Sequence, residues 1–180
     1  MKKYTEIDGW FDYKNTYDFL LSVIPDGGIF VECGAWFGKS SSYLCDAAKE
    51  RINIFIVDTW EGSLDENDPT NILAKKIDNV YDIFLSNMGD RKFKPIKKPS
   101  VDATLDFDNN SCDVVFIDMT HTYDQVKQDI KTWLPKIKNG GYIAGHDYQK
   151  DWPGVVKAVN DIFGKNNLLL MDTCWIFHKK

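Results

Sequence analysis

The chain has 180 residues, 43% of them hydrophobic and 14% aromatic, and a net charge of −5. That suffices for one α/β domain with a sizeable core and is too short for a second catalytic domain, so a single domain over residues 1–180 is expected, with residues 1–27 packing on it as a helical segment. The acidic balance argues against a nucleic-acid backbone as partner, and no apolar run reaches the roughly 18 residues of a membrane span.

The opening residues lead into no signal-like apolar stretch. Cys33, Cys45, Cys112 and Cys174 lie far apart with no C-x-x-C pair, which points away from a zinc cluster or disulfide framework. Reduced thiols in a cytoplasmic protein are the expectation.

Tyr13, Tyr17, Leu20, Leu21 and Ile24 recur at helical spacing and predict a first amphipathic helix. After Gly27-Gly28, the apolar run from Ile29 to Cys33 reads as a strand covered on both faces, which implies a parallel sheet. The strand ends in Glu32. Gly34 and Gly38 then allow a sharp turn and a close backbone approach to a ligand, and Ser40 to Ser42 are available to cap the next helix. Neither G-x-G-x-x-G nor G-x-x-x-x-G-K-[ST] spacing is present, Trp36 stands where a dinucleotide turn wants glycine, and Glu32 would repel a pyrophosphate. A cationic ligand suits this turn better than a polyanionic one.

Asn53 to Asp58 predicts a second strand, again ending in an acid. A polar loop from Thr59 to Thr70 leads into one helix carrying Ile72, Leu73, Ile77, Val80, Tyr81, Phe84 and Leu85. A short strand over 92–97 and a brief helix over 101–105 precede Asp113 to Asp118, a further strand with a terminal acid. The basic stretch Arg91 to Lys98 is read as a strand with a solvated lysine face. The next helix, with Val126, Ile130, Trp133, Leu134 and Ile137, is expected to stop at Asn139-Gly140-Gly141. A strand over 142–145, a helix over 155–163 and the runs 168–171 and 174–177 complete the chain. Only Asp172-Thr173 separates the last two runs, so they must pair antiparallel. The predicted fold is a doubly wound, Rossmann-like α/β domain: a mostly parallel seven-stranded sheet with a C-terminal antiparallel hairpin strand.

Parallel neighbouring strands would bring Glu32, Asp58, Asp118, His146 and Asp147 to the carboxyl ends of the sheet, where open α/β sheets bind ligands. Asp58 has the position of the acid that accepts from ribose hydroxyls, and Trp60 either walls the base or packs under the loop. Asp118, His146 and Asp147 form a second group, suited to a divalent metal or to acid/base work. Oxygen ligands favour magnesium, and a histidine tilts the choice toward manganese, iron or zinc. His121 could take a proton from a hydroxyl near neutral pH, or serve only as a cap.

Taken in order, Val31-Glu32-x-Gly34-x-x-x-Gly38-x-Ser40, Asp58, Phe116-Ile117-Asp118-x-x-His121-x-Tyr123 and Gly140-Gly141-x-x-x-x-His146-Asp147-Tyr148 resemble class I S-adenosylmethionine-dependent methyltransferases. Within them the pattern is most similar to the small-molecule O-methyltransferase branch of catechol-type and antibiotic-sugar enzymes, over roughly residues 28–165. The resemblance implies that Glu32, Gly34, Gly38 and Ser40 line the methionine end of the donor, Asp58 holds its ribose, and Ser100 to Asp102 lie near the adenine with Trp60 beside them. Asp118 would also contact the donor. It also implies a magnesium or manganese ion on Asp118, His146 and Asp147, with His121 or His146 as general base. The chain departs from that branch at His146, where several metal-dependent relatives carry an acid, and at Met119, which replaces a glycine.

The expected activity is methylation of a small hydroxylated acceptor such as a sugar or secondary metabolite, with neither nucleic acid nor membrane as partner; a homo-oligomer is compatible. Two rivals stand beside it. A nicotinamide-dependent oxidoreductase would share the fold and Asp58 but lacks its glycine turn. A non-catalytic donor-binding protein would keep the turn and lose the chemistry, and the acceptor half carries the weakest signals.

Overall fold

A computed structural model describes residues 1–63, 65–66 and 68–180. The apolar runs form strands β1 (Ile29–Cys33), β2 (Asn53–Asp58), β3 (Lys94–Lys97), β4 (Cys112–Ile117), β5 (Ile137–Gly145), β6 (Leu169–Met171) and β7 (Cys174–His178). The helices are α1 (Lys14–Val23), α2 (Lys39–Ala48), α3 (Pro69–Ala74), α4 (Val80–Met88), α5 (Ser100–Ala103), α6 (Tyr123–Trp133) and α7 (Pro153–Phe163). The seven strands make one sheet in the order β3-β2-β1-β4-β5-β7-β6. β1 to β5 run parallel. β7 runs antiparallel to β5 and forms the expected hairpin with β6, turned at Asp172 with φ 52°.

Successive strand residues face opposite sides, so each central strand feeds two cores. Phe30, Ile54, Ile56 and Phe116 meet α1, α2 and α4 through Tyr17, Leu20, Leu44 and Phe84. Val31, Val57, Val115 and Ile117 meet α5, α6 and α7 through Ala103, Ile130, Trp133 and Val159. All six residues of β4 are buried, as the central position of the strand requires.

Three expectations need correction. The single helix over 72–85 is two helices: Asp68 caps α3, and Asn79 at φ 60° breaks the path before α4. Asparagine tolerates this left-handed conformation, which a continuous helix excludes. The helix with Val126 ends at Trp133, a 3-10 turn covers Leu134–Lys136, and Asn139-Gly140-Gly141 lies inside β5 rather than at a helix terminus. Those glycines serve an irregular register, since Cys112 pairs with Ile137 and Val114 already with Tyr142. A Cβ on Gly141 would lie 2.8 Å from the Asp113 carbonyl oxygen. Ser40 to Ser42 do not cap α2: its N-cap is Gly38, at φ 88°.

The basic stretch borders the exposed edge strand β3, and its cations have local partners. Arg91 pairs with Asp46, Lys92 with Glu50 and Lys98 with Asp106, while Lys94 and Lys97 lie over the rings of Phe55 and Tyr81. Charges along an edge also deter pairing with another chain. No helix among the described residues is long and apolar enough to cross a membrane.

Candidate functional site

At the carboxyl ends of β1, β2, β4 and β5 the loops enclose a cavity of ≈ 450 Å³. Its first wall is the turn after β1. Gly34 has φ +96°, and a Cβ there would fall 1.8 Å from the Asp118 carbonyl oxygen, so the β1 turn can lie against the end of β4 only with glycine. Trp36 at φ 48° and Trp60 at φ 56° are both left-handed, a conformation costing about 1–2 kcal/mol outside glycine. Asp58 holds them. Its Oδ2 accepts from the Ala35 and Trp36 amides at 2.7 and 3.0 Å, and its Oδ1 from the Trp60 amide at 2.7 Å. Burial raises the Asp58 carboxyl above its usual range, and these backbone donors work against that rise.

The second wall gathers titratable groups. The His121 ring has Nδ1 3.1 Å from Asp68 Oδ2 and Nε2 2.9 Å from Asp147 Oδ2 and 3.8 Å from Asp118 Oδ1. Trp152 lies against its face at 4.1 Å. His146 has Nε2 3.0 Å from Asp12 Oδ1, and Nδ1 3.2 Å from Asp147 and 3.5 Å from Asp118. The Tyr13 hydroxyl donates to Asp118 Oδ2 at 2.9 Å. Burial opposes charge on both rings. For His121, the facing carboxylates of Asp118, Asp147 and Asp68 outweigh it and push the pKa up to about 11. For His146, the charge of Asp118 leads the opposing causes and pushes it up to about 10. Asp118, whose own burial is outweighed by the two histidines, is held well below the usual carboxylate range.

The close distances around His121 hide a mismatch: neither ring nitrogen makes a well-aligned hydrogen bond. Asp118, His121 and Asp147 can each offer one ligand atom within 4.8 Å of the others. A buried imidazole surrounded by carboxylates that it does not properly bond, with one nitrogen and two oxygen donors converging, fits a divalent cation.

Of the residues predicted from sequence, Gly34, Ser40, Asp58, Asp118, His121, His146 and Asp147 line the cavity. Glu32, Gly38, Trp60 and Ser100 do not. Glu32 is fully buried and accepts from the Tyr17 hydroxyl at 2.7 Å and from the Ser41 hydroxyl, contrary to its expected projection into the crevice. Glu32 is the penultimate residue of β1 rather than its end, and its side chain turns toward α1 and α2, where Tyr17 and Ser41 supply the donors that burial demands. Gly38 makes room for Phe84 and Met88, whose atoms would lie 3.0 and 3.1 Å from a Cβ. Trp60 packs on Tyr81 and Phe84 and donates Nε1 to the Trp36 carbonyl. The Ser100 hydroxyl accepts from Trp133 Nε1 at 2.8 Å. His121 rather than His146 completes the convergent ligand set.

Sequence reasoning missed Asp12, Tyr13 and Trp152 and placed Asp68 only within the polar 59–70 loop; all four line the cavity. Tyr13 read only as one position of a helical face, and Asp12 and Asp68 sit in segments without periodicity. Gly154 carried a signal: it follows Trp152-Pro153 at a helix start, and a Cβ on it would meet the His121 carbonyl oxygen at 2.5 Å.

The sequence matches the family model described as "Methyltransferase domain" over residues 31–148, well over half of the chain. Among curated proteins it is 28% identical over 121 residues to "Uncharacterized protein y4gI" of Sinorhizobium fredii, covering 65% of this chain and 13% of that one. It is 32% identical over 139 residues to "Uncharacterized protein R132" of Acanthamoeba polyphaga mimivirus, covering 74% of this chain and 58% of that one. The chain thus spans less than two thirds of the length of either relative. Among solved structures, the O-methyltransferase NovP superposes with a TM-score of 0.67 at 16% identity, over 93% of this chain and 79% of that one. The calicheamicin methyltransferase CalS11 gives 0.64 at 15% identity, over 92% and 77%. The chain belongs to the methyltransferase-domain family, and it shares the doubly wound sheet of NovP and CalS11.

Proposed function

We propose that this domain transfers the methyl group of S-adenosylmethionine to a hydroxyl of a small acceptor such as a sugar or secondary metabolite, with a divalent ion held by Asp118, His121 and Asp147. The observation that carries the reading is the cavity itself: the glycine turn with Asp58 forms one wall, and the convergent Asp-His-Asp group forms the other. NovP is an O-methyltransferase by name, and a structure of CalS11 is named TDP-rhamnose 3'-O-methyltransferase, which supports a sugar-like acceptor. The same sheet also occurs in a protein named as an rRNA methylase, so the fold alone does not choose the acceptor. The net charge of −5 and the local pairing of the basic stretch favour a small molecule over RNA.

Methyl transfer from a sulfonium is an in-line displacement in which the leaving group needs no help. The protein's part is alignment, exclusion of water and management of one proton. Asp58 fixes the turn against which the donor lies. A bound ion would supply Lewis-acid polarisation of the acceptor oxygen. With His121 in the ligand set, His146 is the ring left to take the hydroxyl proton, and Asp12 at its Nε2 fixes the ring. Both rings are held protonated by the carboxylates that face them, and an ion held by Asp118 and Asp147 would offset that charge and lower the pKa of His146.

The test is formation of S-adenosylhomocysteine from S-adenosylmethionine with a panel of hydroxylated acceptors, with manganese and with chelator. Metal-dependent turnover that falls in His146→Gln, with donor affinity kept, is expected. Donor binding without turnover on any acceptor would favour the non-catalytic reading.

A further inference from the structure

The cavity's charge narrows the acceptor. Six aspartates line it, Asp8, Asp12, Asp58, Asp68, Asp118 and Asp147, against Lys39, His121 and His146 as the only basic residues among the described lining. All three cations are engaged: Lys39 Nζ donates to the Gly9 carbonyl at 3.0 Å, and each histidine is flanked by carboxylates. Two backbone amides of the β1 turn are taken as well, because Ala35 and Trp36 both donate to Asp58. A phosphate entering this cavity would meet an excess of carboxylates over basic side chains.

The mouth is built for the opposite charge. Residues 8–13 run across it as a strap anchored by the Lys39 contact to Gly9 and by Asp12 on His146. Between Asp8 and Asp12 the strap presents Trp10, 57% exposed and part of the cavity wall. Asp8 has no hydrogen bond or ion pair among the described residues. An aromatic face between two carboxylates attracts an ammonium group and stacks against a sugar ring.

We propose that the acceptor end takes a hydroxylated amine, such as an amino sugar, and rejects phosphorylated or nucleotide-linked acceptors; the inference rests on the methyltransferase reading above. In the test, the full chain with S-adenosylhomocysteine and magnesium is mixed with equal concentrations of D-glucosamine, D-glucose and D-glucose 1-phosphate, and saturation-transfer NMR ranks the bound sugars. Glucosamine should lead glucose and exceed glucose 1-phosphate by about tenfold, a ratio equivalent to one well-placed charge contact. Replacing Asp8 by asparagine should bring glucosamine down toward the level of glucose while the S-adenosylhomocysteine signal, which also reports folding, persists. A phosphate signal equal to or above that of the amine, or no signal from any of the three sugars, with the S-adenosylhomocysteine signal present, overturns the charge inference alone. Absence of the S-adenosylhomocysteine signal overturns the donor reading on which it rests.

Discussion

Replacing Glu32 with glutamine separates a structural role from a ligand-binding one. The carboxyl is fully buried, and burial, opposed by its hydrogen bonds from Ser41, Ser40 and Tyr17, lifts its pKa from 4.5 to about 7. A shift of that size corresponds to about 3 kcal/mol between the two protonation states. The sign follows from proton counting: between 4.5 and 7 the folded protein holds a proton that the unfolded chain has released, so this group's contribution to stability falls as pH rises through that window. Glutamine is neutral throughout and can still bond both hydroxyls. Urea unfolding of both proteins from pH 5 to pH 8 should therefore show Glu32→Gln gaining on the wild type as pH rises, by up to about 3 kcal/mol at pH 8, with similar urea slopes. S-adenosylhomocysteine affinity should stay within about twofold, because the side chain does not reach the cavity. Parallel stability profiles would refute the assigned burial energetics, and a collapse of ligand affinity would show that Glu32 turns toward the donor after all.

Gly34→Ala drives a methyl group into the Asp118 carbonyl at a positive φ; a loss of about 3 kcal/mol or more in chemical denaturation is expected, and a native-like midpoint would contradict the close approach of β1 to β4. Asp58→Ala strands the amides of Ala35, Trp36 and Trp60, so thermal unfolding should report a loss of about 2–4 kcal/mol together with weakened donor binding. Asp68 faces His121 Nδ1 at 3.1 Å without belonging to the ligand set, so Asp68→Asn should weaken manganese binding by roughly 10–100-fold in calorimetry and leave S-adenosylhomocysteine affinity intact.

The presence and direction of the strands were legible because most apolar runs were short, separated by helical periodicity, and ended at an acid or glycine. The two-residue Asp172-Thr173 connection even fixed the reversed strand. What misled were glycines and asparagines whose roles are tertiary. Gly140-Gly141 has the composition of a helix terminus, yet its small size answers to the neighbouring Asp113 carbonyl on β4, which local sequence cannot reveal. Asn79 splits a helix by one left-handed residue inside an otherwise helical pattern. At the site, residue types at strand ends were readable and side-chain directions were not. Glu32 and Asp58 both read as acids at strand ends, but the register pairs Glu32 with Ile56, two residues short of Asp58, where Tyr17 and Ser41 draw it into the core while the amides of the β1 turn hold Asp58 at the cavity. The partners of His121 and His146 on the strap and on the 59–70 loop, Asp12 and Asp68, come from segments with no pattern to read.

The most direct test of the account is calorimetric titration of the purified protein with S-adenosylhomocysteine, once in chelator and once with manganese. The account predicts binding at about micromolar affinity in both conditions, since Asp58 and the glycine turn form the donor wall apart from the Asp118, His121 and Asp147 group, and a separate manganese isotherm that Asp147→Asn abolishes. No binding of S-adenosylhomocysteine in either condition would contradict it.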